Sequence, residues 1–106
     1  LRCRSVDKRI KASREQEKAV AKRLGGKVQP GSGSQWMRKG DVSTPDFLVE
    51  CKVTEKQSYR LTRAVLDKIE QEAAMENLEY ALVVDIAGKS YAVVSTDVFV
   101  SLRDDR

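Results

Sequence analysis

The chain has 106 residues, 41% hydrophobic and 34% charged, with a net charge of +4. That is enough for one modest core, and it excludes two independent cores and a disordered chain. There is no His, which removes Ser-His-Asp and Cys-His catalysis and every His-based metal site.

Charge is unevenly placed. Residues 1–29 hold ten Lys or Arg against three Asp or Glu, a net of +7, and the remainder nets −3. A basic N-terminal third on a nearly neutral body is the footprint of a polyanion partner, most often nucleic acid. Residues 1–11 are basic without a clear period and read as an arm, or a weak helix start, ahead of a single domain at 12–106. From Ser13 to Leu24 the pattern is helical. Val20, Ala21 and Leu24 share one face, with Glu17 a turn before them. Ser13 is the expected N-cap, and Gly25-Gly26 the stop. A short strand at Lys27–Gln29 follows.

Residues 30–41 (PGSGSQWMRKGD) read as a loop, of a size that is often functional. Asp41–Ser43 reads as a short strand and Thr44-Pro45 as a turn. Asp46–Val53 is the best strand in the chain, with Phe47, Val49, Cys51 and Val53 on one face and Asp46, Leu48, Glu50 and Lys52 on the other. After a polar connector, Arg60 to Asn77 reads as an amphipathic helix carrying Leu61, Val65, Ile69 and Ala73. Glu79–Ile86 is an apolar strand, turned by Ala87-Gly88-Lys89 into Ser90–Val94. Thr96 or Asp97 is the expected cap of a final short helix. The order predicts an α/β fold with a mixed sheet, helices on its faces and Asp46–Val53 at its centre.

No apolar run reaches the roughly 20 residues of a membrane-spanning helix, and no signal-peptide core is visible. Two cysteines, Cys3 and Cys51, make no disulfide framework. An intracellular, cytoplasmic protein without a membrane partner is therefore expected. Cys51 alternates with Phe47 and Val49 and reads as core rather than nucleophile.

Glu50 and Lys52 project from one face of the central strand beside Leu48, where charges cost free energy unless paired or metal-bound. If the two neighbouring strands form a hairpin, Asp41 lies beside Glu50, within about 5 Å at Cα level. Asp46 is the alternative partner, but it stands about 13 Å away along the strand. Two adjacent carboxylates and a Lys suit phosphodiester hydrolysis. Oxygen ligands fit Mg²⁺, which polarises the phosphoryl group and acidifies a bound water. Lys52 can hold the phosphate, orient or deprotonate the water, and steady developing charge.

These residues resemble the PD-(D/E)XK nuclease superfamily, and more narrowly the archaeal-type Holliday junction resolvases and their phage-encoded relatives. The resemblance is carried by SREQEKAVAKRLGG, the GSGS loop, KGDV and FLVECKVTEK. It implies a restriction-endonuclease-like fold, a mixed central sheet flanked by helices. It also implies Mg²⁺ dependence, with Mn²⁺ as a substitute, and a homodimer that resolves branched double-stranded DNA by paired nicks. By position, Glu17, Asp41 and Glu50 match the metal carboxylates and Lys52 the catalytic Lys, with Glu15 a rival to Glu17. Ser32 and Ser34 both match a loop Ser that assists catalysis, and Ser34 is the one assigned to it.

Ser32, Ser34, Gln35, Trp36, Arg38 and Lys39 combine hydroxyls, an aromatic wedge and cations suited to a branch point. Arg2, Arg4, Lys8, Arg9 and Lys11 would track backbone phosphates. The apolar stripe of helix 60–77 and the edge strand near Ser90–Val94 are candidate dimer surfaces. The competing expectations are another DNA nuclease of restriction or repair type, and a non-catalytic nucleic-acid-binding module.

Overall fold

The structure, a computed structural model, describes residues 2–29 and 41–104, with side chains from residue 10 onward. Among the described residues are three helices and five strands, in the order α1 (Arg2–Leu24), β1 (Lys27–Val28), β2 (Val42–Ser43), β3 (Phe47–Thr54), α2 (Arg63–Met75), β4 (Glu79–Ile86), β5 (Lys89–Val93) and α3 (Thr96–Asp104). The sheet is mixed, in the order β1-β2-β3-β4-β5. Only the β3–β4 pair is parallel, because α2 carries the chain back across the sheet between them. The expected α/β class and the central place of β3 are both found.

The first helix is longer than expected. It begins at Arg2, so Ser13 lies inside it and is not a cap, and residues 2–11, read as an arm or a weak helix start, are its first turns. Its end is as expected. Gly25 is left-handed at φ 66°, and the Gly26 N–H returns to the Ala21 carbonyl at 2.8 Å, closing the helix in a Schellman turn. Gly26 also allows close packing: a Cβ there would stand 2.6 Å from the Ser43 carbonyl oxygen.

The second helix starts later than Arg60. Thr62 is extended and its side chain accepts from the Val65 N–H at 3.2 Å, which places the cap there. Beyond its last residue, Met75, the helix is closed by Asn77, left-handed at φ 57°, with the Leu78 N–H bonded to the Ala73 carbonyl at 2.9 Å. Ala87 and Gly88 both have positive φ, the combination that makes a two-residue turn follow the twist of β4 and β5. The third helix is capped by Ser95, whose Oγ accepts from the Val98 N–H at 3.1 Å, in place of the expected Thr96 or Asp97.

Both faces of β3 carry core. Val49 and Cys51 join Val42, Ala81 and Val83 beneath Val20 and Ala21 of α1. Leu48, fully buried with Leu82, points to the opposite face, where α2 contributes buried Ile69 and Ala73. Strand β3 is therefore held from both sides, and the polar residues that follow Leu48 sit on a fixed strand. Among the described residues no helix is long and apolar enough to cross a membrane.

Candidate functional site

The β2–β3 ladder pairs Val42 with Val49 and Ser43 with Leu48. Asp41 stands just before this ladder, and its charge reaches Glu50, which shares its face of β3 with Leu48 and Lys52. Asp41 is firmly held. Its N–H donates to the Val49 carbonyl and its carbonyl accepts from the Gln29 N–H, both at 2.9 Å. Its Oδ2 accepts from the buried N–H of Cys51 at 2.8 Å. The Asp41 side chain is buried although it is a carboxylate. Asp46 is exposed in the turn, with its backbone N–H on Thr44 Oγ1, and it is not drawn toward Glu50.

Lys52 Nζ lies 3.3 Å from Glu50 Oε2, with the Lys side chain 44% and the Glu side chain 22% exposed. Burial, and then the Asp41 charge, push the Glu50 carboxyl above its ordinary value; Lys52 pulls the other way, and Glu72 of α2 adds to the rise. Burial alone would lower the Lys52 pKa, but the charge and hydrogen bond of Glu50 outweigh it, with Tyr59 and Asp41 adding, so Lys52 is raised. The ammonium is thereby fixed as a cation at neutral pH.

Glu17 reaches this cluster from α1. Burial raises its pKa first, then the charges of Asp41 and Glu50, with Arg14 opposing. Glu15 is exposed on the same helix and is not part of the cluster. Cys51 is buried and free, and burial pushes its thiol far up, as suits a core residue and not a nucleophile. Among the described residues no three Asp, Glu or Cys side chains close into a ready-made cation cage. Ser32, Ser34, Gln35, Trp36, Arg38 and Lys39 lie outside the described residues, as do the side chains of Arg2, Arg4, Lys8 and Arg9. Lys11 is exposed on α1.

Sequence reasoning missed Gln16. It is 5% exposed, and its Nε2 donates to the Lys52 carbonyl at 2.7 Å and to the Val83 carbonyl at 3.4 Å. One amide thus ties α1 to both β3 and β4, next to Glu17 in sequence. Its Oε1 is buried without a partner. A signal was present, since Gln16 is four residues before Val20 and so shares the buried face of the helix. Glu72 and Tyr59 were also missed. They reach the cluster only through the folding of α2 and its connector over β3.

The raised carboxyls set an expected pH dependence. Glu50 and Glu17 bind protons more tightly folded than unfolded, so in the window above the ordinary carboxyl pKa of 4.5 the native state carries the extra protons. Stability therefore falls as pH rises through that window. Glu50→Gln removes one such charge and should raise the thermal midpoint at about pH 7, by an increment that shrinks as pH falls toward about 4. Paired melting curves across this range test it. A lower midpoint for the variant at pH 7 would show that the ion pair with Lys52 outweighs the burial cost.

No family model matches the chain, and no curated protein or solved structure matches it either.

Proposed function

We propose that this protein is a metal-dependent endonuclease that resolves four-way DNA junctions by paired nicks, on a restriction-endonuclease-like fold. The observation that carries the proposal is the clustering of three carboxylates, Asp41 close enough for its charge to act on Glu50 and both close enough to act on Glu17, with Lys52 3.3 Å from Glu50. Like charges held together in a partly buried site raise one another's pKa, and a divalent cation relieves that repulsion.

The donors are all oxygens, which suits Mg²⁺, with Mn²⁺ as substitute. Mg²⁺ is commonly held by one or two carboxylates plus substrate phosphate and water, so a closed three-carboxylate cage is not required. Asp41 and Glu50 would hold it, and Glu17 would add to the negative charge that draws it in. When bound, it supplies Lewis-acid polarisation of the phosphoryl group and an acidified water. Lys52 remains protonated beside Glu50, so its part is to clamp the scissile phosphate and steady developing negative charge. Of the roles open to it, proton abstraction fits least.

A single site makes one nick, and a four-way junction needs two in opposed strands. The proposal therefore includes a two-fold homodimer. The test is incubation with Mg²⁺ and either a four-way junction or a linear duplex of the same sequence. The expected result is paired nicking of the junction, an intact duplex, no reaction in EDTA, and a dimer by light scattering. Equal cutting of both substrates would favour a restriction or repair nuclease. Binding without cleavage under Mg²⁺ and Mn²⁺ would favour a non-catalytic module.

A further inference from the structure

Helix α1 carries charge along the side that its packing leaves outside. Lys11, Arg14, Lys18 and Lys22 are all exposed, at spacings of three, four and four residues. At 3.6 residues per turn they fall within a sector of roughly 80° and run for about 16 Å. Gln16 and Val20, which are buried against the sheet, lie on the opposite side of the helix, and buried Ala21 borders the row beside Arg14. The surface is cationic although Glu15 also stands in it.

Surface charges on helices often pair with one another at i, i+4, as Arg63 does with Asp67 at 2.8 Å. Among the described residues none of the four α1 cations is in an ion pair. Four unpaired cations in a row repel one another, which favours an anion partner laid along them. Val20 and Ala21 of α1 are already packed on the core, so they are not available to sink into a lipid surface. The row also adjoins the carboxylate cluster. Arg14 stands three residues before Glu17, close enough for its charge to act on that carboxyl.

We infer that the outer face of α1, through Lys11, Arg14, Lys18 and Lys22, is a rail for the phosphate backbone of DNA. Its row of ammonium and guanidinium groups lies along one strand and leads it toward Glu17 and the Asp41–Glu50 pair. Arg14, Lys18 and Lys22 thereby acquire a role that a basic arm at residues 1–11 would not have given them. The inference rests on the DNA-nuclease reading and goes beyond it in naming the surface that supplies affinity.

The test measures junction and duplex binding by the full chain in EDTA, where no cleavage interferes, as a function of salt. Each phosphate contact contributes about 0.9 to the log–log slope on duplex DNA. The quadruple variant Lys11→Gln/Arg14→Gln/Lys18→Gln/Lys22→Gln should shallow the slope by about 2–4 and weaken binding on both substrates. The single variant Lys18→Gln should shallow it by about 1. Lys89→Gln, on the far edge of the sheet, should leave it unchanged. Circular dichroism confirms that the variants are folded, and the single variant keeps the test valid if the quadruple one is not. A wild-type slope in a folded Lys18→Gln or quadruple variant that still binds DNA overturns the rail and leaves the nuclease reading standing. A wild-type protein that binds anionic vesicles but no DNA overturns both.

Discussion

Glu50→Gln and Asp41→Asn should each lower junction cleavage by about 10³-fold or more while changing junction affinity by less than about threefold. The two effects separate because different groups produce them. In the proposed reaction the carboxylates would serve the cation and the water at the scissile phosphate. Affinity for a polyanion comes from cations along the backbone, and removing a negative charge does not weaken those contacts. Both substitutions keep side-chain shape and polarity. Glu50→Gln also removes a partly buried charge whose pKa is raised by burial, so the variant is expected to fold. Asp41→Asn needs its own check, because Oδ2 of Asp41 holds the Cys51 N–H and a flipped amide would break that bond. Single-turnover cleavage in Mg²⁺, binding in EDTA and melting curves on the same preparations decide it. Full cleavage by either variant would remove that residue from the metal site.

Leu48→Ala should cost about 2–5 kcal/mol of folding stability. Leu48 is 1% exposed and is among the largest fully buried side chains, on the face of β3 that α2 covers. Truncating it removes buried apolar surface and leaves a cavity between a strand and a helix that are both fixed by their other contacts. A domain of this size has a total stability of about 5–15 kcal/mol, so the loss is a large share of the whole. It should appear as a lower urea midpoint at unchanged slope. Met75→Ala, at a position 72% exposed, should change stability by less than about 0.5 kcal/mol. A cost near that of Met75→Ala would mean the α2 face is not packed. Leu48 precedes Glu50 by two residues on the same face, so a loosened variant should also lose cleavage in proportion to the site's disorder.

Local chemistry determined a good part of this protein by itself. The period-two pattern of β3 located the central strand and its two faces, because side chains must alternate across a pleat. Gly25-Gly26 announced the end of α1, since a helix stops most easily where a residue can turn left-handed. The short span from Asp41 to Glu50 suggested a hairpin that could bring the two carboxylates together, and the hairpin of β2 and β3 is found.

Other features depended on context that no local pattern carries. The start of α1 was hidden because its first turns need no apolar stripe. Once a helix is nucleated, Arg and Lys extend it at little cost, so residues 2–11 join it without a hydrophobic period. The start of α2 fell after Thr62 rather than at Arg60, and the cap of α3 on Ser95 rather than Thr96 or Asp97, because several Ser, Thr and Asp compete locally and packing chooses among them. The site was assembled only by tertiary structure. Gln16 meets Lys52 across 36 residues of sequence, Glu17 feels Asp41 and Glu50 only because α1 lies over the sheet, and Glu72 arrives from α2. The charge state of Lys52 was likewise undecided in the sequence. Burial and a carboxylate at 3.3 Å push an amine in opposite directions, and only the folded geometry sets which one prevails.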